Sequence, residues 1–431
     1  MVFKIALRNL QSNIRYSLMA LLAIGGGFVS FVVFNGYIAD AYSLIEDEIR
    51  HRMMYGDVVI EDAHLSSPEA RASSWEYLVS HEQQQMVATW LKESSYPVRA
   101  TAPFLPFSGL VSNGGSEALF IGLGLDVEAS RALRGAKWER NVVAGKTLPG
   151  SSDSPGAILG EGLARLMGCH IQGEKRSEQA SVGCDRTTEL QLSGMTVANQ
   201  INAVDVDVIG VTNAGFKEMD RRYVMTSLES AQILMNTQGV GYISVMLNDR
   251  SQGPALAENL NAVFREKQSS LQAYHWQQHP IAGDLYHKTK EILTIFQVFI
   301  VTVIVVIVGL SVFNTFVKIV LERTKEIGTL QSMGFTKIQI VQFFMAEAFL
   351  LASFGSAVGA VASLLVSGLI QLMRVEYNAG LFQDAVILRI KFVPTDYIIG
   401  LVFMCVLAAL ATYLALRVTL RRRIVDNLNH A

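Results

Sequence analysis

The sequence predicts an α-helical membrane protein with four transmembrane helices and a large α+β extracytoplasmic domain of two subdomains, inserted between helices one and two. Three observations carry that prediction. Half of the 431 residues are hydrophobic and 17% are charged, with mean hydropathy +0.31, whereas a soluble chain is about one-quarter charged. Four long apolar runs stand out. Between the first two lie roughly 250 residues of mixed polar sequence, too many for a chain lying wholly in lipid. A net charge of −2 with no basic stripe excludes a strongly basic nucleic-acid binder. Three cysteines are too few for a disulfide scaffold or a cysteine-rich metal site.

Residues 17–39 carry no charge and are long enough to cross about 30 Å of hydrocarbon. Their apolar core is longer than a signal peptide's, and no small-x-small site precedes Asp40, so the run reads as a retained anchor. Residues 40–282 are the inserted domain, 283–320 a stalk and the second span, and 321–341 a connecting loop. Residues 342–373 are the third span, 374–395 a loop, 396–416 the fourth span, and 417–431 a basic tail. From Gly283 to about Glu326 there is no proline and one interior glycine, Gly309. As one helix, those 44 residues would reach about 66 Å, twice the hydrocarbon thickness, and could carry motion between the two sides.

Orientation follows from the short loops. Lys4, Arg8, Arg15, Lys318, Arg323, Lys325, Lys337, Arg417, Arg421, Arg422 and Arg423 fall on one side, against Arg374, Arg389 and Lys391 on the other. The positive-inside rule makes both termini cytoplasmic and the insert periplasmic.

Within the insert, Asp57–Glu61 alternates like a strand and His81–Ser94 has helical spacing. Val98–Val111 and Ala118–Leu125 read as strands around an Asn113-Gly114-Gly115 turn. Ala157–Met167 begins as a strand and turns helical after Gly160. Val204–Val211 and Tyr242–Leu247 are strands; Leu228–Met235 and Ala255–Arg265 are helices. The strand-rich part, about 105–215, reads as a subdomain inserted in the other. Cys169 and Cys184 both fall here and are a candidate disulfide in an oxidising compartment; two free thiols are the alternative.

The loop after span two runs from Glu322 to Ile340 and is followed by Glu347 at the head of the next span. Glu322, Arg323, Glu326, Ile327, Gly328, Leu330, Gly334, Ile340 and Glu347 fit the pattern E-R-x-x-E-I-G-x-L-x-x-[ML]-G-x-[ST]-x-x-x-I with its following glutamate. The segment resembles the cytoplasmic loop of FtsX-like, MacB-type (type VII) ABC transporter permeases, the lipoprotein-releasing LolC/LolE-like branch most of all. Ala6–Leu10 is similar to the amphipathic cytoplasmic helix over 1–16 that such permeases carry, and Leu159–Ala164 to an extracytoplasmic motif of that branch. The tail resembles theirs but lacks a proline many relatives have.

The resemblance implies an inner-membrane permease dimer, homo- or heteromeric, driven by a separate cytoplasmic ABC ATPase that holds ATP and Mg, with no cofactor on this chain. Mechanotransmission to the periplasm would then release lipoproteins, with a lipoprotein or periplasmic carrier as further partner; His170–Gly183 is a candidate carrier loop. A MacB-like efflux component with an adaptor and outer-membrane channel, or an FtsX-like activator of a cell-wall hydrolase, are the alternatives. Apart from any family, the loop offers charges (Arg323, Lys325, Glu326) beside an apolar set (Ile327, Leu330, Met333), with Gly328 and Gly334 permitting close approach, as a coupling helix in a partner's groove would. Gly328→Trp is accordingly expected to uncouple the ATPase.

The remaining motifs carry no chemistry. Gly145-Lys146-Thr147 looks like a Walker A ending, but its first glycine is replaced by Arg140, so the chain is not expected to be an enzyme. His275 and His279 have helical metal spacing without a third ligand, and no metal is expected. Gly355, Gly359 and Ser363 form a small-residue stripe for helix packing, within the chain or across a dimer. Gln297, Asn314 and Glu347 are polar groups near the membrane that should face protein or water, Glu347 as a structural residue.

Overall fold

The computed structural model describes residues 14–135, 142–149, 155–177, 179–378, 380 and 385–420. The segment around Ala6–Leu10 and the tail from 421 onward lie outside the described residues. Among the described residues, four helices are long and apolar enough to cross a membrane: the first from Leu18, the second Ala282–Glu322, the third Lys337–Met373 and the fourth Pro394–Thr419. The chain divides into two compact units, one holding these spans and one comprising Leu44–Thr289 with 378–386.

In the helical unit the small residues decide which helices meet. A Cβ on Gly25 would lie 3.3 Å from the Gly355 carbonyl oxygen, and one on Gly359 would lie 2.9 Å from both the Gly25 oxygen and Phe28 Cβ. Gly355 lies against Ile24 in the same way. Gly27, two residues on, faces Val308 of the second helix and Met404 of the fourth. Two glycines two apart point to different neighbours, so the triplet Gly25-Gly26-Gly27 lets one helix approach three others. The stripe Gly355, Gly359, Ser363 is thus used inside the chain; Ser363 donates to the Tyr397 hydroxyl at 3.1 Å. Gln297 donates to Asn35 Oδ1 at 2.7 Å, so these two amides meet each other within the protein, whereas Asn314 is exposed. Gly359→Leu is expected to cost about 1–3 kcal/mol by overpacking, lowering the unfolding midpoint of the solubilised protein. Gly26→Leu, with nothing within 4 Å of its Cβ, should leave the midpoint unchanged.

The other unit is built on one ten-stranded sheet. Strands β1 (Val58–Asp62), β2 (Val98–Ser112), β3 (Glu117–Leu125), β4 (Val142–Gly145) and β5 (Gly156–Gly160) are followed by β8 (Glu189–Met195), β9 (Ile201–Thr212), β10 (Tyr223–Ser227), β11 (Tyr242–Leu247) and β12 (Leu271–His275). A separate hairpin of β6 (Cys169–Gln172) and β7 (Ser181–Cys184) stands beside them. One end of the sheet, β12-β1-β11-β2, is antiparallel. Helices His81–Glu93 and Gly253–Glu266 supply Val87, Leu91, Leu256, Leu260 and Phe264 to a core with Val58 and Ile60. At the other end the pairings run β2-β3-β10-β5-β9-β8 and return to β2, closing a ring of six strands. Closure removes the unpaired edges that a sheet of this length would expose. The ring's core, with Phe107, Phe120, Leu159, Leu192 and Val206, is distinct from the first. The strand-rich segment therefore has its own core but shares its sheet with the flanking part.

Asn113 makes the β2–β3 turn, its Oδ1 accepting the backbone N–H groups of Gly115 and Ser116 at 3.0 and 2.7 Å. Cys169 and Cys184 are register partners of the β6–β7 hairpin and are disulfide-bonded. Cys169→Ser is expected to lose about 3 kcal/mol in the chain-entropy model for a loop of this length, read as a lower unfolding midpoint that reduction of the wild type reproduces.

Candidate functional site

The second membrane helix runs unbroken for 41 residues and ends at Glu322, short of the Glu326 limit expected from sequence. The break falls at Arg323, whose backbone leaves helical geometry at φ −96°, ψ 16°. A nine-residue helix, Thr324–Ser332, follows at once. Its end is a Schellman turn: Phe335 N–H reaches the Leu330 oxygen and Gly334 N–H the Gln331 oxygen, both at 3.1 Å. Gly334 sits at φ +93°, the left-handed conformation that a glycine adopts without steric cost. Thr336 then caps the third membrane helix through a capping box with Gln339.

Arg323 fixes this element to the third helix. Its Nη1 donates to both oxygens of Glu347, at 2.7 and 2.6 Å, its Nε donates to Glu326 Oε2 at 2.8 Å, and its guanidinium lies 4.8 Å from the Phe344 ring centroid. Arg323 and Glu347 are 7% and 6% exposed. Two charges this deeply buried persist only when each is paired, and Glu347 has here the structural role expected of it. Below the pair, Ile327 is wholly buried in a cluster with Val320, Ile340, Phe344 and Leu416.

The expected coupling residues therefore separate. Glu322, Lys325, Glu326, Met333 and Gly334 are exposed; Leu330 is half-buried; Arg323, Ile327 and Gly328 are internal. Arg323 and Ile327 cannot meet a partner while the element is folded, because their side chains hold it in place. Gly328→Trp would disturb packing before it touched any partner. The apolar surface that is free consists of Met333, Phe335 and Ile338, at 62%, 48% and 70% exposure. Phe335 and Ile338 were not picked out from sequence; an apolar residue on each side of the glycine turn was the available signal.

The other sequence candidates have structural explanations. Gly160 abuts the Asp220 backbone with no room for a Cβ. Asp220 accepts from Gly162 N–H at 2.7 Å and Ala214 N–H at 3.0 Å, while burial raises its pKa. Glu161 is buried, which opposes its charge, but Lys175 at 2.7 Å and Arg165 outweigh burial and hold its carboxyl below the usual range. The Leu159–Ala164 motif is thus a packed strand-to-helix junction, and Lys175 ties the β6–β7 loop back onto it. Gly145 ends β4 at φ +84°, and 146–149 are irregular, so no helix begins on the Walker-like triplet among the described residues. His275 closes β12 and His279 follows a separate short turn, so the two do not share a helix. Among the described residues no cluster of three or more His, Cys, Asp or Glu could hold a metal.

With this geometry established, the comparisons decide the family. Residues 17–263 match the model of the MacB-like periplasmic core domain, and residues 298–424 that of the FtsX-like permease C-terminal region. The chain belongs to the FtsX-like, MacB-type permease family. It is 23% identical over 279 residues to the lipoprotein-releasing system transmembrane protein LolC of Neisseria meningitidis serogroup B, covering 64% of this chain and 62% of that one. It is 27% identical over 187 residues to the macrolide export ATP-binding/permease protein MacB of Bordetella avium, covering 42% and 28%. It is also 24% identical over 249 residues to the probable syringafactin export ATP-binding/permease protein SyfD of Pseudomonas syringae pv. syringae, covering 56% and 38%. The chain thus spans less than two thirds of the length of these relatives. As a member of this family it is an ABC transporter permease in the membrane, with an extracytoplasmic domain between its first two spans.

Proposed function

We propose that this permease couples ATP hydrolysis on a separate cytoplasmic ATPase to mechanical work on the far side of the membrane, as one subunit of a dimer with both termini cytoplasmic. The observation that carries this is one uninterrupted helix. The second membrane helix runs without interruption from Ala282 to Glu322, and its end is clamped through Arg323 to Glu347 of the third helix. A partner closing on Lys325, Met333 and Ile338 would move a fixed element, and the helix that precedes it is about 60 Å long at 1.5 Å per residue, about twice the hydrocarbon thickness.

Lipoprotein release from the inner membrane is the work we favour. The LolC likeness extends over more of both chains than the MacB likeness, and the Leu159–Ala164 resemblance agrees with it. Export through an adaptor and outer-membrane channel is the second reading, supported by the match to the MacB-like periplasmic core.

Mass spectrometry of the complex purified from native membranes through a tag on this chain tests both. A soluble ABC ATPase recovered with lipoproteins or their carrier is the expected result. The ATPase with an adaptor and channel would select export. Absence of any ATPase, under conditions that preserve membrane complexes, would overturn the coupling reading.

A further inference from the structure

One cavity in the extracytoplasmic unit has no part in coupling. It measures about 250 Å³, near the small end of ligand pockets at roughly 300–1,000 Å³, and its lining is chiefly apolar. Tyr55, Tyr223 and Tyr242 line it. Tyr242 stacks between Tyr55 and Phe104, with ring centroids 5.6 and 5.2 Å away. Tyr223 and Tyr242 are 6% and 8% exposed. None of the three phenolic hydroxyls has a hydrogen-bond partner among the described residues. Burial pushes Tyr55 and Tyr223 up to about 12, so both hydroxyls keep their protons.

The same cavity is lined by Glu61, Arg71 and His279. Glu61 accepts from Arg71 Nη2 at 2.6 Å, and its other oxygen lies 3.2 Å from His279 Nε2. His279 is 2% exposed, and its Nδ1 accepts the backbone N–H groups of Ile281 and Ala282 at 3.3 and 3.1 Å. That places the proton of the neutral ring on Nε2. Neither this Nε2 nor the buried Arg71 Nε makes an aligned hydrogen bond. Two buried donors without an aligned acceptor, Arg71 Nε and His279 Nε2, and three tyrosines with unpaired hydroxyls thus line one chiefly apolar space, while its one carboxylate, Glu61, is already ion-paired with Arg71. Buried donors left without a partner are unfavourable; a ligand bearing acceptor oxygens would relieve Arg71 Nε and His279 Nε2 and could also accept from the tyrosine hydroxyls.

We propose that this cavity is a binding site for a small amphiphile, with its apolar body between the tyrosine rings and a carboxylate or ester head facing Arg71 and His279. A cationic head is disfavoured, because Glu61 is already ion-paired with Arg71, and the two arginines of the lining, Arg52 and Arg71, repel it. Ile121 and Ile281, 47% and 44% exposed, are the lining residues that mark the way in. His279 and Ile281 belong to the turn that leads directly into the Ala282–Glu322 helix, so an occupant bears on the first residues of the element assigned to mechanical transmission. The site stands whatever cargo the transporter handles.

The test uses the full chain in lipid nanodiscs, titrated calorimetrically with octanoate, methyl octanoate and octylamine. The first two are expected to bind saturably at one site per chain, and octylamine at least tenfold more weakly. Ile121→Trp, at an exposed strand position, should weaken octanoate at least tenfold by filling the mouth. The double change Tyr223→Phe and Tyr242→Phe keeps the volume, removes two donors, and should weaken it about fivefold or more. Leu110→Trp, exposed on the same strand pair outside the cavity, should change nothing. Unsaturable uptake of octanoate, equal binding of octylamine, or octanoate affinity unaltered in both the tryptophan and the double phenylalanine variants would each overturn the site.

Discussion

Glu347→Ala should release the Thr324–Ser332 helix from the third membrane helix. In the wild type Glu347 accepts two hydrogen bonds from Arg323 at 2.7 and 2.6 Å in a setting where both residues are under 10% exposed. Removing the carboxylate leaves the guanidinium buried with Glu326 alone, and Glu326 is itself exposed. Breaking one partner of a buried pair costs about 3–5 kcal/mol, whereas exposing Arg323 to solvent costs only the local packing around Ile327. The element should therefore open locally rather than the whole bundle unfold. An Ile327→Cys reporter, wholly buried in the closed state, measures this directly. Its maleimide labelling should accelerate by roughly two to three powers of ten in the Glu347→Ala background, while the four spans insert normally. Glu347→Gln, which keeps one acceptor, should give a smaller increase. Unchanged labelling in the Ala variant would mean that the ion pair does not hold the element.

That pair also shows where sequence reasoning reached its limit. Arg323, Ile327 and Leu330 follow i, i+4, i+7 spacing, the mark of one helix face turned inward. The stripe was present, but its first member is an arginine, which local composition assigns to the surface. Only Glu347, 24 residues away on another helix, makes that burial tolerable. The spans were legible because hydrocarbon demands long uncharged runs, and the β2–β3 hairpin because Asn113-Gly114-Gly115 supplies turn chemistry locally. The closing of the six-stranded ring was not legible. Strand β8 reads Glu-Leu-Gln-Leu-Ser-Gly-Met, seven residues whose partner β2 lies some eighty positions earlier. No local window records a pairing at that distance. The tyrosine cavity was hidden for the same reason, since Tyr55 and Tyr242 meet only because β1 and β11 are neighbours in the sheet.

The second large effect is expected at the other face of the same element. Met333 and Ile338 are 62% and 70% exposed on either side of the Gly334 turn, and neither contributes to the Arg323–Glu347 clamp. If they enter a groove of the ATPase, each buried side chain contributes about 1.5–3 kcal/mol. Met333→Asp combined with Ile338→Asp removes both contributions and places two carboxylates in an apolar groove, so affinity for the ATPase should fall by at least about a hundredfold. Stability of the permease should be unaffected, because exposed positions lose no packing. This separates docking from folding in a way Gly328→Trp does not, Gly328 being internal. The readout is the amount of ATPase recovered with the tagged permease, normalised to permease inserted in the membrane. Lys325→Gln, changing only an exposed charge on the same helix, should reduce recovery modestly and in a salt-dependent manner. Full recovery of the ATPase by the double aspartate variant would place the docking surface elsewhere, and would leave the long second helix without an input at this end.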